Sequence, residues 1–282
     1  MTGHNDLQSV SSGRYDKYRY LEVTVRDEIA LIAFNRPDKM NACGREDHTE
    51  MSTILRDINA DDDVRVAVVT GKGRAFSVGG DLDVLEEMNQ SPATALGLMR
   101  EAREIVQSHI NCDKPVVCAL NGAAMGSGAV FALLCDFIIM ERHALVADGH
   151  IRAALTAGDG GTMIWPLAMG LTRAKKYLLT GDSITAEDAE RFGLVTEIAE
   201  QGESLARAME IARRLADGPQ FAIRTTKVAC NQWLKFAQIS TSDYSLALEF
   251  LSGVHDDVRV AVEDLRNGRV GAIARECRSE SL

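Results

Sequence analysis

The alternation of hydrophobic and polar positions near the start of the chain predicts a β-hairpin. In LEVTVR (21–26), apolar and polar residues alternate, as in a strand with one buried face. The β-branched apolar run IALIAF (29–34) follows directly after Asp27 and Glu28. Two such runs separated by two polar residues are typical of paired antiparallel strands.

Further along the chain, short apolar runs alternate with segments of helical spacing. They occur in this order: helix 45–59, strand VRVAVVTG (64–71), helix about 92–111, strand PVVCAL (115–120), a Gly/Ala-rich turn with the helix GAVFALLC, and strand DFIIM (136–140). This succession predicts an α/β fold in which helices pack outside the sheets.

The strand signals stop after about residue 203, and helical periodicity continues alone. SLARAMEIARRLAD, PQFAIRTTKVACNQWLKF and DYSLALEFLSGV all carry it, and Gly218-Pro219 indicates a helix end followed by a new start. We therefore expect a flexible leader at 1–18, an α/β core at 19–203 and a helical C-terminal region at 204–282.

Composition and charge exclude several classes of partner. The 282 residues carry a formal net charge of -10, which argues against binding nucleic acid or a membrane surface. An anionic small molecule is still compatible with a few local positive groups. The six cysteines form no CxxC pair, and the histidines show no metal-binding spacing, so we expect reduced cysteines and no metal. The N-terminus has no apolar signal segment and no run is long enough to span a membrane, which predicts a cytoplasmic protein.

Two glycine-rich segments follow predicted strands and are candidates for chemistry. The first is GKGRAFSVGGDLDVL (71–85) and the second is NGAAMGSGAVFALLCD (121–136), which passes into a helix. Glycines at a strand end, and the first N–H groups of a helix, can point at a ligand oxygen. Each segment alone could be a tight packing turn; together they have the parts of a split oxyanion hole.

Several motifs, in the same order, resemble those of the crotonase (enoyl-CoA hydratase/isomerase) superfamily. They are Asn35-Arg36-Pro37 with Lys39 and Asn41-Ala42, then AFSVGGDL, NGAAMGSG, GDGGT and LLTGDSITAEDAERFGLVTEI. The resemblance runs from about residue 20 to 235. It implies a spiral of ββα units followed by a helical oligomerisation region, and a homotrimer or a dimer of trimers. It also implies an acyl-CoA substrate, with coenzyme A entering as part of the substrate and no separate cofactor.

The resemblance also implies where the substrate binds. The thioester carbonyl would lie between the backbone N–H groups of Gly80 and Ser127, with Gly126 alongside. The residues expected near the adenine end of coenzyme A are Lys39, Val78, Asp81 and Leu82. Lys72 and Arg74 could contact phosphate, or form an exposed solubilising pair.

The chain departs from the family pattern at both positions where family hydratases carry a catalytic glutamate. Val130 occupies the first and cannot transfer a proton, and His150 occupies the second. Asp159 follows nine residues after His150, so we expect His150 to transfer a proton and Asp159 to orient it. The alternatives are that Asp159 is a helix N-cap and that His150 is an ordinary polar loop residue.

This His150/Asp159 spacing also resembles the β-diketone hydrolases of the superfamily, which cleave C–C bonds without coenzyme A. Glu249 extends that resemblance, although an exposed helix residue is its simpler interpretation, and Ser127 stands where those enzymes need a histidine. Three hypotheses remain: an enzyme acting on an acyl-CoA, a C–C bond hydrolase of a β-diketone, and a catalytically silent acyl-CoA binder.

Overall fold

A computed structural model describes residues 13–268 of the chain. The first twelve residues of the predicted leader and Cys277 lie outside the described residues. Residues 13–18 are not loosely attached, because Tyr15 and Tyr18 are buried. Their hydroxyl groups donate hydrogen bonds to Asp61 and Asp57, each over 2.7 Å.

The strands form two sheets. Their bounds are β1 Leu21–Arg26, β2 Ile29–Phe34, β3 Val66–Gly71, β4 Ala75–Ser77, β5 Val116–Leu120, β6 Ala123–Met125, β7 Phe137–Glu141, β8 Leu145–Ala147, β9 Ile184–Thr185 and β10 Glu197–Ala199. The six-stranded sheet has the order β1-β2-β3-β5-β7-β10, and the four-stranded sheet has the order β4-β6-β8-β9. The β1–β2 hairpin is confirmed, with Leu21 opposite Phe34 and Arg26 opposite Ile29.

The chain winds as a spiral in which each turn gives one strand to each sheet. Strands β3, β5 and β7 enter the large sheet, and each is followed by a short strand, β4, β6 or β8, in the small sheet. Within each sheet these strands pair in parallel. The spiral architecture implied by the resemblance is therefore confirmed.

Helices cover the outside of the spiral and make up most of the described part of the C-terminal region, residues 204–268. Their bounds are α1 Arg45–Asn59, α2 Leu82–Gln90, α3 Pro92–Asn111, α4 Gly126–Leu133, α5 Gly161–Met169, α6 Leu171–Thr180, α7 Ala186–Phe192, α8 Ser204–Ala216, α9 Gln220–Cys230, α10 Gln232–Ala237, α11 Asp243–Gly253 and α12 Asp256–Arg266. Short 3-10 turns lie at Gly13–Tyr15, Pro37–Lys39 and His150–Ala153, and a π-helical turn spans Gln238–Ser242. None of the helices in the part of the chain described is both long and apolar enough to cross a membrane.

The helical region bounds the core on two sides. Helix α8 packs three alanines, Ala208, Ala212 and Ala216, against the large sheet, where small side chains allow close approach. Helices α11 and α12 pack instead beside α2 and α3 around a separate apolar cluster that includes Met88 and Leu246. This second cluster forms one wall of the cavity described below.

Candidate active site

Three parallel strands of the small sheet end at one edge and bring the predicted site segments together. Strands β4, β6 and β8 are neighbours in that sheet. They continue directly into residues 78–80, 126–127 and 148–150. Because parallel strands direct their carboxyl ends the same way, the three loops meet at one edge, where ligands commonly bind in α/β folds.

The two glycine-rich loops lie against each other. Gly79 has φ +82°, and a Cβ there would be 2.7 Å from the carbonyl oxygen of Met125. The N–H of Gly126 donates to the carbonyl of Asp148 over 2.8 Å. Within residues 13–268, the N–H groups of Gly80 and Ser127 donate no hydrogen bond, so both can bind a ligand oxygen.

A cavity of about 510 Å³ opens at this edge. Gly80 and Ser127 line it together with His150, Asp159 and Glu249. Its opposite wall is apolar and is formed by side chains of α2, α3, α12 and the turn before α5, among them Leu85, Met88, Leu98, Met99, Leu155 and Leu265. The cavity therefore combines a polar end with room for an apolar group.

His150 is buried among three carboxyl groups. Its Nδ1 lies 2.9 Å from Oδ1 of Asp148, and its Nε2 lies 3.5 Å from Oδ2 of Asp159 and 3.9 Å from Oε1 of Glu249. Burial alone would lower the pKa of His150, but the charges of Asp159 and Asp148 raise it well above its ordinary value. Since a carboxylate can only accept hydrogen bonds, the contact with Asp148 places a proton on Nδ1, and the nearby charge of Asp159 favours a second proton on Nε2.

The two carboxyl groups near Nε2 differ in charge. For Asp159, burial opposes ionisation, but the imidazolium of His150 lowers its pKa below the ordinary value. For Glu249, burial and the charge of Asp159 raise the pKa to about 8, so this carboxyl is mostly protonated at neutral pH. Oδ1 of Asp159 and Oε2 of Glu249 are buried with no hydrogen-bond partner among the described residues, and both can bind a substrate or water.

Three sequence-based interpretations are wrong. Glu249 is not an exposed helix residue, because only 4% of it is exposed and it lines the cavity from α11. Asp159 is not an N-cap: the N-cap of α5 is Gly160, and no side chain caps that helix. His150 is not an ordinary polar loop residue, since it is 8% exposed and surrounded by carboxyl groups.

The first position of the family's glutamate pair lies in the core. Val130 is 3% exposed in α4 and is absent from the cavity lining. Its side chain faces Gly160, where an added Cβ would approach it to 3.0 Å. Proton transfer at this position is therefore impossible, both chemically and by geometry.

The expected coenzyme A residues lie at two places. Val78, Leu82 and Gly126 line the cavity. Lys39 and Asp81 lie beside each other, with Nζ 3.4 Å from Oδ2.

The two candidate phosphate contacts differ from each other. Lys72 pairs over 2.6 Å with Glu22, a partly exposed residue of β1. Arg74 lines the cavity. Arg74 is therefore the better placed of the two for a ligand phosphate.

Sequence reasoning missed three polar residues of the cavity lining, Asp148, His48 and Arg152. Asp148 lies two residues before His150, and this short spacing was the available signal. The structure differs from the expected arrangement, because Asp148 is the carboxylate that orients Nδ1 of His150, whereas Asp159 lies near Nε2 of the same ring. His48 lies on α1 and nothing in its local sequence distinguishes it from a surface helix residue.

His150, Asp159 and Glu249 also form the kind of set that could hold a metal ion. Their ligand atoms all lie within 4.8 Å of one another. One imidazole and two carboxyl groups suit a first-row divalent cation. The same contacts fit equally well a proton on Nε2 of His150. That the protein binds no metal therefore stays a prediction.

Comparison with known proteins shows the family. A model of the enoyl-CoA hydratase/isomerase family matches residues 24–261. The chain is 32% identical over 227 residues to the 1,2-epoxyphenylacetyl-CoA isomerase of Escherichia coli, covering 80% of this chain and 85% of the relative. The chain therefore belongs to the enoyl-CoA hydratase/isomerase family.

Two solved structures have the same fold. An enoyl-CoA hydratase/isomerase from Mycobacterium paratuberculosis superimposes with a TM-score of 0.86 at 35% identity, covering 89% of this chain and all of that one. A β-diketone hydrolase from the cyanobacterium Anabaena, bound to (S)-3-oxocyclohexyl acetic acid, gives a TM-score of 0.81 at 30% identity, covering 87% and 98%.

Proposed function

We propose that this protein acts on an acyl-CoA thioester, whose carbonyl oxygen binds to the backbone N–H groups of Gly80 and Ser127. The supporting observation is that these two N–H groups, which have no partner within residues 13–268, share one cavity with the buried imidazole of His150. Neither feature alone would distinguish catalysis from packing. Their combination suits a reaction that passes through an enolate.

The oxyanion hole lowers the cost of charge on the thioester oxygen. In the proposed complex two backbone dipoles point toward this oxygen, and the loss of one such donor typically costs about 10²–10³ in rate. His150 then exchanges a proton with the α carbon, and Asp159 stabilises its charged form through the contact at Nε2. Protonated Glu249 can donate a hydrogen bond to the substrate or to water.

The remainder of the cavity suits the rest of an acyl-CoA. The apolar wall from α2, α3 and α12 accommodates the acyl group, and Arg74 at the lining offers a charge for a phosphate. We include Lys39, Val78, Asp81 and Leu82 in the coenzyme A site on the strength of the family resemblance.

A mass-spectrometric screen tests this function. The protein is incubated with saturated and 2-enoyl-CoA thioesters of varied length, and products are recorded with and without EDTA. We expect turnover of at least one thioester, lost in His150→Asn and retained in the exposed control His143→Asn. Turnover that is unchanged in His150→Asn would contradict the role of His150.

Hydrolysis of a β-diketone is a second candidate, favoured by one observation. Glu249 joins His150 and Asp159 in a single buried cluster, which completes the residue set that resembles the β-diketone hydrolases. Ser127, where those enzymes need a histidine, weighs against it. Cyclic β-diketones in the same screen distinguish the two functions, because C–C cleavage adds water and opens the ring.

We also propose that the protein is a homotrimer or a dimer of trimers. Helices α9 to α11 and the π-helical turn leave large apolar side chains exposed, namely Phe221, Trp233, Phe236, Ile239, Tyr244 and Leu251. Apolar surface on this scale is typical of a protein interface. Further copies of the same chain are its expected partners.

A further inference from the structure

A second imidazole faces the cavity from helix α1. His48 lies in the first turn of that helix, its side chain is 12% exposed, and it lines the same cavity as Gly80, Ser127 and His150. A positive charge on its ring would act on Asp159 in the same direction as His150, lowering that carboxyl's pKa against the opposing effect of burial.

Glu101 of helix α3 fixes the His48 ring. The Glu101 carboxylate is itself held by Arg45 over 2.9 Å and by the hydroxyl of Thr49 over 2.8 Å. Its Oε2 lies 3.1 Å from Nδ1 of His48. Because a carboxylate cannot donate, Nδ1 carries the proton of that hydrogen bond.

The other nitrogen of His48 is available. No residue in the described range 13–268 forms a hydrogen bond with Nε2 of His48. In the ring with its proton on Nδ1, Nε2 is therefore an open acceptor. His150 is the opposite case, because carboxyl groups lie near both of its nitrogens.

We propose that His48 is a second catalytic residue of this cavity, acting as the general base while His150 acts as the general acid. This proposal rests on the proposed function. It supplies the second proton-transfer group that Val130, buried in the core, cannot provide.

Hydration of a 2-enoyl-CoA would use both imidazoles. Nε2 of His48 takes a proton from water as the water oxygen bonds to Cβ. The Cα–Cβ π electrons move toward the thioester, whose oxygen gains charge at the N–H groups of Gly80 and Ser127. His150 then delivers its Nε2 proton to Cα. The product carries H and OH, and the proton gained by His48 returns to His150 through solvent.

Two measurements distinguish a reaction that needs both His48 and His150 from a reaction that needs His150 alone. Hydration of an enoyl-CoA needs both imidazoles. Exchange of the α proton of a saturated acyl-CoA in D₂O needs the oxyanion hole and His150 alone, in the fraction of molecules whose His150 has released its Nε2 proton and can accept the α proton. His48→Asn retains an amide N–H that can donate to Glu101 and removes the base. His255→Asn makes the same change at an exposed residue on the surface.

We expect His48→Asn to lower kcat for hydration by about 10²–10⁴-fold, with KM and α-proton exchange within about twofold of the wild type. His150→Asn should lose both activities and His255→Asn neither. Glu101→Gln is a second variant that leaves His48 in place. Its amide can donate to Nδ1, which moves the ring proton to Nε2, so kcat should fall there too.

Two results would overturn the role of His48: unchanged hydration in His48→Asn, or equal losses of hydration and α-proton exchange, which would indicate a structural effect. A wild-type protein with neither activity on any thioester would instead contradict the proposed function on which this role rests.

Discussion

The charge on His150 depends on three carboxyl groups that come from three separate segments. Asp148 follows strand β8, Asp159 precedes helix α5, and Glu249 comes from α11. Three ionised carboxylates beside one imidazolium would leave a large buried negative charge. The raised pKa of Glu249 reduces that charge by keeping one of the three protonated.

Removal of the Asp148 charge should slow catalysis without preventing binding. In Asp148→Asn, the amide can donate to Nδ1, so the ring loses the acceptor that orients it and supports its charge. We expect kcat to fall by about 10²-fold or more, with KM little changed. Steady-state kinetics beside Asp62→Asn, the same change at an exposed loop residue, checks this. Equal kcat in the two variants would contradict it.

The pKa of Glu249 makes stability depend on pH. Between its ordinary value of 4.5 and about 8, the folded protein holds a proton that the unfolded chain has released. The free energy of unfolding should therefore fall as pH rises through this window, by up to about 1.4 kcal/mol per pH unit. The raised pKa of His150 acts in the same direction, from its ordinary value upward.

Glu249→Gln removes the first of these titrations. We expect its unfolding free energy, measured by chemical denaturation at several pH values from 5 to 8, to fall less steeply than that of the wild type. Glu104→Gln, at an exposed position of α3, should follow the wild-type slope. Parallel curves for all three proteins would show that Glu249 is ionised in the fold.

The sequence indicated two residues of the buried cluster, His150 and Asp159, but not the burial of the third, Glu249. His150 and Asp159 were predicted because motifs of known order flank them. The burial of Glu249 could not be predicted, because helical spacing within α11 does not reveal that α11 packs against residue 158. In the fold, the hydroxyl of Ser245 donates to the carbonyl of Gly158 over 2.9 Å and carries Glu249 into the cavity.

At the level of elements, the proposed oxyanion hole depends on contact between two strand-end loops. Gly79 allows that contact because it adopts φ +82° and has no Cβ near the Met125 carbonyl. Gly202 has the same φ, with nothing within 4 Å of its Cβ position. A comparison of alanine substitutions at these two glycines therefore distinguishes the free-energy cost of backbone strain from the cost of forcing the loops apart.

Gly79→Ala should be more harmful than Gly202→Ala. Both changes incur roughly 1 kcal/mol of backbone strain, and Gly79→Ala adds about 1–3 kcal/mol because the Met125 backbone must move. We also expect Gly79→Ala to lose most of its activity, since Gly80 follows it directly. Thermal or chemical unfolding and kcat measure both effects; equal losses in the two variants would be inconsistent with close loop packing.

Long elements were predictable and short ones were not. Helices α1 and α3 have the bounds that their apolar spacing predicts, because 15 and 20 residues establish a clear period. Strands β4, β6 and β8 have three residues each, too few for a period to be evident. These short strands are the ones that organise the site, and for them the family motifs carried the information.

At the level of the whole molecule, the exposed apolar residues of α9 to α11 predict self-association. Trp233 is 74% exposed and Phe236 is 69% exposed, both on α10. We expect the wild type to sediment at three or six times the mass of one chain. The double variant Trp233→Ser/Phe236→Ser should sediment mainly as a monomer.

A matched control is Val260→Ser, which changes a half-exposed apolar residue on α12 and should leave the mass unchanged. A monomeric wild type would contradict the proposed assembly. In that case, the apolar surface of α9 to α11 would be expected to bind a different partner.

The proposed catalysis requires that two backbone amides from separate loops converge on one carbonyl oxygen. A crystal structure of the protein with a saturated acyl-CoA would show whether they do. We predict that the thioester oxygen lies about 2.7–3.1 Å from the nitrogens of both Gly80 and Ser127, with the α carbon facing His150. A bound thioester whose oxygen contacts neither nitrogen, or one alone, would contradict the proposed role of these two N–H groups.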